Sequence, residues 1–389
     1  MLANLPAQPA DALLALIKLF AADDRADKID LGVGVYRTTD GATPVFKSVK
    51  GAEKVLVDTQ DSKSYLGPEG DMGFVEALKP IIFGNDFAAI GNVDGMQTPG
   101  GTGGVRLAVA LAKSAGVKRV IMGTPSWPNH AQIMKDLDLG VVTFNHARDG
   151  AVDMDALKSA VADAAPTDAI LLHGCCHNPT GIDYSVAQWR EIAALLKDKG
   201  LLPILDLAYQ GLGDGMEEDA QGVRIVMSTV PEALLAYSCD KNFGLYRDRV
   251  GAFYVMADKD KLPAIMSNGA SLARANWSMP PDHGAAAVRI ILEDAALTQQ
   301  WLAELDDMRA RMRQMRDKLA AAGTAGSVDM TPYATQHGLF AMLPLSKEQI
   351  EALRDDHAVY MAGSGRINIA GLTAGNIDKF IAAVADVSA

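Results

Sequence analysis

Residues 169–207 read AILLHGCCHNPTGIDYSVAQWREIAALLKDKGLLPILDL. An apolar run over 169–174 ends in a turn built on Asn178, Pro179 and Gly181. A helical pattern follows over 186–197, and a second apolar run spans 202–207. Short apolar runs bounded by turn residues are strands buried on both faces. Two of them joined by a helix form a crossover unit, which sets the strands parallel.

The same alternation extends outward in both directions. Strands are predicted near 95–98, 118–122, 140–144, 233–238 and 251–256, with a further helix over 105–113. The expected fold class is therefore α/β, with a mainly parallel sheet of seven strands covered by helices. Residues 1–12 carry Pro6 and Pro9 and read as an N-terminal arm; a short helix follows over 13–20. Past the sheet region, 296–321 reads as one long amphipathic helix. Its apolar positions are Trp301, Leu305, Met308, Met312, Met315 and Leu319, and Gly323 stops it. We divide the chain into the arm (1–12), a large domain (44–305), and a smaller α/β domain built from both ends (13–43 and 306–389).

The bulk composition narrows the function. The chain has 389 residues, with 49% hydrophobic and 22% charged side chains and a formal net charge of −12. An acidic balance argues against a nucleic-acid partner, although a few arginines can still dominate a cleft. The three cysteines, Cys175, Cys176 and Cys239, form no spaced disulfide framework. Neither a signal peptide nor an apolar run of bilayer length is evident. The expectation is a cytoplasmic protein without a membrane partner.

In open parallel sheets, ligands bind beyond the carboxyl ends of the strands, so the residues just past each strand are the candidates. Pro99 to Gly104 is glycine-rich and precedes a helix, which suits an anion. It is neither a Walker loop nor a dinucleotide fingerprint, since Arg106 stands where the third glycine would be. An ordinary glycine-rich turn explains it about as well. Trp127 follows the next strand and suits a planar ligand, though a lone tryptophan more often packs a core. His173, Cys175, Cys176 and His177 invite a metal reading, but the spacing is unlike zinc sites and no second ligand cluster exists, so no metal is expected. Asn178 sits in a tight turn. Asp206 and Tyr209 follow another strand; alone, Asp206 reads more readily as a helix cap or a salt bridge. Ser238 and Lys241 close the set, with Arg249 beyond them. Any single lysine is usually a solvated charge. Together these residues supply a phosphate cup, a stacking aromatic, a ring-nitrogen carboxylate and an amine, the parts a pyridoxal-phosphate site requires.

Four stretches carry a closer likeness: Leu31 to Tyr36 (LGVGVY), 173–181 (HGCCHNPTG), 241–247 (KNFGLYR) and 364–371 (SGRINIAG). With these, the chain resembles class I pyridoxal-phosphate aminotransferases of the aspartate and aromatic amino-acid branch, over nearly its whole length. The resemblance implies the fold-type I architecture and a homodimer with shared active sites. It implies pyridoxal 5'-phosphate as cofactor, with Lys241 as the Schiff-base lysine that also moves the proton. Asp206 matches the carboxylate on the pyridine nitrogen. Tyr209 and Asn178 match the partners of the phenolic oxygen, and Trp127 the stacking aromatic. Gly101, Thr102, Ser238 and Arg249 match the phosphate cup, joined by Tyr65 from the second subunit. Arg366 matches the grip on the substrate α-carboxylate and Gly34 a backbone against the substrate. Arg274 matches the partner-subunit arginine for a distal carboxylate.

The sequence also departs from the family pattern. Asp240 precedes Lys241 where relatives usually carry serine; it would either repel the phosphate or pair with Arg249. Met279 stands where aspartate-preferring members have asparagine. These departures leave the donor open: aspartate, an aromatic amino acid, or a sulfonate or sulfinate analogue of aspartate, with a 2-oxo acid such as 2-oxoglutarate as acceptor. A lyase or decarboxylase on the same fold is the other enzyme reading.

Overall fold

The computed structural model describes residues 1–7, 12–85 and 90–389. Part of the expected arm, residues 8–11, lies outside the described residues; Met1, Leu2 and the stretch from Asn4 to Ala7 are exposed. The predicted helix at 13–20 spans Ala12–Ala22.

Seven strands form the central sheet: β1 (Val93–Pro99), β2 (Arg119–Thr124), β3 (Gly140–Asn145), β4 (Asp168–His173), β5 (Leu202–Leu207), β6 (Ala233–Ser238) and β7 (Val250–Met256). Their spatial order is β1-β7-β6-β5-β4-β2-β3. All run parallel except β7, which lies antiparallel between β1 and β6. Every residue of β4, β6 and β7 is buried, as continuous apolar runs covered on both faces require. The reversal of β7 matters for the site. Its first residue, Val250, pairs with Pro99 at the carboxyl end of β1. Arg249, just before it, therefore arrives at the same edge as the ends of the parallel strands.

Between β4 and β5 the helix Val186–Lys199 forms as its local sequence dictates. Ser185 caps it in a reciprocal box with Gln188, and Gly200 ends it in the left-handed conformation at φ 64°. The helix predicted at 105–113 begins earlier, at Gly100, and runs to Ser114. The glycine-rich stretch is thus the first turn of the helix and not a loop before it. Close packing explains the glycines: a Cβ on Gly104 would stand 3.1 Å from both Ala236 Cβ and Ala252 O, on β6 and β7. A side chain there would force the helix or these neighbours to give by a few tenths of an ångström.

The long helix Ala295–Ala321 buries all six predicted apolar positions and is capped by Asp294. Trp301 stacks on Phe243 with centroids 4.4 Å apart and donates its indole N–H to Asn242 O at 2.7 Å. It thereby props the turn that carries Lys241. Arg316, wholly buried on the same helix, donates to the carbonyls of His337, Gly338 and Phe340 at 2.7–2.9 Å. All three bonds come from Nη2 and offset part of the hydration a buried guanidinium gives up; Nε and Nη1 have no partner.

The two ends of the chain meet around short ladders. Ile29–Asp30 pairs parallel with Val359–Tyr360, and Phe340–Met342 pairs antiparallel with Arg366–Asn368. Asn368 donates its side-chain amide to Val33 O and Val35 O at 2.6 and 2.8 Å. This fixes the Gly34 backbone beside Phe340 and Arg366.

Candidate active site

A cavity of about 300 Å³ opens at the carboxyl edge of the sheet. Eleven of the thirteen nominated residues line it: Gly34, Gly101, Thr102, Trp127, Asn178, Asp206, Tyr209, Ser238, Lys241, Arg249 and Arg366. A larger cleft of about 920 Å³ shares Trp127 and Arg366 with it and is walled by Leu16, Met342 and Met361. That cleft leads from solvent to the inner cavity between the sheet and the chain ends.

One end of the cavity is built for an anion. Gly100, at φ +69°, and Gly101 open the N-terminus of the helix. A Cβ on Gly101 would meet Ser238 Cβ at 2.8 Å, and one on Gly100 would meet Arg249 Nη2 at 2.5 Å. The space that side chains would fill is therefore ringed by backbone N–H groups, a hydroxyl and a guanidinium. Asp240 completes this end. Its Oδ2 lies 2.6 Å from Arg249 Nη1, so of the two possibilities raised by the sequence the structure contains the ion pair.

The other end holds Asp206, which is 6% exposed. Burial pushes its carboxyl up, but the hydrogen bond from His130 and the neighbouring charge of Lys241 outweigh it. The group stays below the usual carboxylate value. An ionised carboxylate only accepts, so His130 Nε2 donates to Asp206 Oδ2 at 2.9 Å. His130 Nδ1 then accepts from Ser126 Oγ at 3.0 Å, and His173 Nε2 donates to the same oxygen at 2.9 Å. Behind this relay His173 lies tilted against His177 at a centroid separation of 4.2 Å, and His177 stacks on His146 at 3.6 Å. Burial drives His173 down to about 3 and His146 to about 4. The stack is neutral, and the charge at this end is concentrated on Asp206.

Lys241 lies between the two ends. Its Nζ sits 5.3 Å from the centre of the Tyr209 ring. Burial lowers its pKa below 10.5; Asp240 and Asp206 oppose that shift and Arg249 adds to it. Tyr209 is also buried, which raises its phenol, and its hydroxyl accepts from Asn178 Nδ2 at 3.3 Å. Asn178 Oδ1 is buried with no partner in the protein. Arg366 donates one N–H to Gly32 O at 3.0 Å and lies over the Phe340 ring at 4.6 Å. Its Nε is buried and unpartnered, and burial lowers its pKa. An acceptor on a guest molecule would satisfy Arg366; a donor would satisfy Asn178.

Two nominated residues lie elsewhere. Tyr65 is 94% exposed. Arg274 is exposed and donates to Ser278 Oγ at 2.6 Å. Met279 links the two segments, its Sδ accepting from Leu66 N at 3.0 Å. His130, His173, Tyr246 and Phe340 are site residues that the sequence reading did not select. His130 is 76 residues from Asp206, and only the sheet register, which sets His173 beside Asp206, signals such partners. The sequence cluster of histidines and cysteines separates. Among the described residues, Cys175 and Cys176 approach Asp219, whose carboxylate accepts from the N–H groups of Gly211, Gly213 and Asp214. Burial raises both thiols, Cys176 to about 12.

A lysine-bearing cavity at the carboxyl edge of such a sheet, roofed by both chain ends, defines a fold-type I transferase. The chain belongs to the aminotransferases of class I and II, whose family pattern matches residues 26–384. The tyrosine aminotransferase of Rhizobium meliloti (strain 1021) is 50% identical over 368 residues, covering 94% of each chain. The aspartate aminotransferase of Escherichia coli (strain K12) is 42% identical, covering 100% of each. A solved aromatic amino acid aminotransferase with 3-indolebutyric acid superposes with a TM-score of 0.95 at 39% identity, covering 100% of both chains. The aromatic-amino-acid aminotransferase of Burkholderia pseudomallei, covalently bound to pyridoxal phosphate, gives 0.96 at 32% identity, again covering 100% of both.

Proposed function

We propose that this aminotransferase holds pyridoxal 5'-phosphate in the inner cavity and moves the amino group of aspartate or an aromatic amino acid to a 2-oxo acid such as 2-oxoglutarate. The carrying observation is Lys241, set between a carboxylate at one end of the cavity and a glycine-lined anion cradle at the other. The donor set fits the group: the cradle would take the phosphate, the Tyr209 hydroxyl and the Asn178 amide N–H would donate to the ring oxygen, and Asp206 would meet the ring nitrogen. When bound, the cofactor supplies an aldehyde carbon that takes up the amino group and a ring that accepts an electron pair.

The chain's own residues do the rest. Arg366 holds the substrate carboxylate through its planar guanidinium, which orients the Cα–H bond. Lys241 Nζ removes the proton from Cα and later delivers it. Asp206, kept ionised by His130, holds a proton on the ring nitrogen. Trp127 lies on the wall shared by cleft and cavity and would cover the ring. Leu16, Met342 and Met361 give the cleft an apolar mouth, which supports an aromatic donor.

We place Tyr65 and Arg274 in the site of a second subunit. Both are exposed and lie outside the cavity of their own chain, and Met279 ties their segments together. Exposed Val57 and Leu66, close to Tyr65 in sequence, support a homodimer. Full activity in a monomer at working concentration would overturn this placement. The domain division proposed from the sequence is retained, with the Ala295–Ala321 helix running from one domain into the other. Three free, buried cysteines support a cytoplasmic setting. Among the described residues no helix is long and apolar enough to cross a membrane.

The test is a near-visible spectrum of cofactor-loaded protein titrated separately with aspartate, phenylalanine and cysteate, without a 2-oxo acid. A shift from the aldehyde-form to the amine-form cofactor spectrum is the expected result, and the donor effective at lowest concentration identifies the substrate. Release of keto acid or carbon dioxide without nitrogen retained on the cofactor would point to a lyase or decarboxylase.

A further inference from the structure

Asp240 puts a carboxylate inside the phosphate cradle, where the transfer reaction has no use for it. The residue is 3% exposed and lines the same cavity as Gly101, Thr102 and Ser238. Its Oδ2 lies 2.6 Å from Arg249 Nη1, and its Oδ1 accepts from Val250 N at 3.2 Å. Its own N–H donates to Ser238 Oγ at 3.3 Å. A Cβ built on Gly100 would stand 3.0 Å from this carboxylate and 2.5 Å from Arg249 Nη2. The ion pair therefore faces the first turn of the helix, where the anion would sit.

A cradle of this kind works by concentrating positive potential. The helix N-terminus contributes about half an elementary charge, and Arg249 contributes a full one. An ionised carboxylate against Arg249 cancels much of the latter at short range. A cofactor phosphate brings roughly two negative charges of its own. Two anions sharing one guanidinium repel, and a partly buried site screens that repulsion poorly. Lys241 is the other nearby cation, and Asp206 lies at the far end beside His130.

We propose that Asp240 is an internal counter-anion that competes with the cofactor phosphate for Arg249 and so makes the cofactor readily exchangeable. The proposal rests on the reading that this cavity takes a phosphate-bearing cofactor. It assigns Asp240 an affinity-setting role, with no part in the chemistry at Cα.

The test uses the full chain, stripped of cofactor, as wild type, D240S and D240N. Dissociation constants are measured for pyridoxal 5'-phosphate, phosphate-free pyridoxal and inorganic phosphate. Both neutral variants are expected to bind pyridoxal 5'-phosphate and inorganic phosphate about tenfold tighter or more, the scale of one poorly screened charge pair. Pyridoxal, which lacks the phosphate, is expected to bind all three proteins alike. D240N preserves the side-chain shape and decides the matter if D240S does not fold. If the neutral variants bind inorganic phosphate no better than wild type, Asp240 aims Arg249 and strengthens the cradle, and the proposal is wrong. If no protein forms a borohydride-reducible bond with either aldehyde, the assignment of Lys241 fails, and the inorganic-phosphate measurement still decides the role of Asp240.

Discussion

Replacing Lys241 with alanine is expected to lower turnover by roughly four orders of magnitude or more, because on the proposed reading it removes both the amine that binds the cofactor and the base that moves the proton. The fold should survive. Lys241 sits in a cavity and not in the packed core, and the turn it starts is held by Trp301 and Phe243. Lys241→Arg is the sharper test. It keeps a positive charge between Asp206 and Asp240, but a guanidinium does not deprotonate at working pH. If charge alone mattered, arginine would retain turnover within about tenfold of wild type; the proton-transfer role requires it to fall with alanine. Steady-state rates for both variants, with thermal unfolding as the control, decide between them. A pH effect accompanies this. Burial sets the folded Lys241 pKa below 10.5 in the cofactor-free protein. Between the two values the unfolded chain binds more protons, so this residue's contribution to stability rises with pH in that window. Lys241→Met should flatten that rise.

The parts of this site that were legible in the sequence share a physical origin. Asp206, Asn178, Ser238 and Lys241 all follow apolar runs, and a parallel sheet delivers such positions to one edge whatever the details of packing. Arg249 was legible by proximity, yet its arrival depends on β7 running against its neighbours, which the apolar run alone does not encode. The start of the Gly100–Ser114 helix was misplaced because glycine is a poor helix former, and the local preference gave way to packing against Ala236 and Ala252. His130 and Phe340 were not legible at all, and His173 was legible only as part of a histidine–cysteine cluster that invited a metal. Each acts through a partner distant in sequence, and a histidine or phenylalanine without a local pattern reads as core. Asp240 was legible as an anomaly, and its pairing with Arg249 emerged only once the fold brought the two together.

Asp206→Asn is expected to reduce turnover by roughly two to three orders of magnitude, the size seen when one preorganised electrostatic group is removed from an active site. Asparagine is the informative replacement. Its amide oxygen still accepts from His130 Nε2, so the buried His130–Ser126–His173 relay keeps its partners. Alanine would leave a buried N–H without an acceptor and cost about 1–3 kcal/mol of stability as well. The loss in Asp206→Asn therefore isolates the charge. That charge is the unusual feature of this end of the cavity. The neutral stack of His173, His177 and His146 behind it supplies no compensating cation, and the depressed carboxyl of Asp206 keeps the negative charge in place at neutral pH. On the proposed reading, a ring nitrogen placed against it would stay protonated and draw electrons from Cα. If Asp206→Asn retained half the wild-type turnover while folding normally, the ring nitrogen would not need that charge, and the residue would be a packing partner of His130.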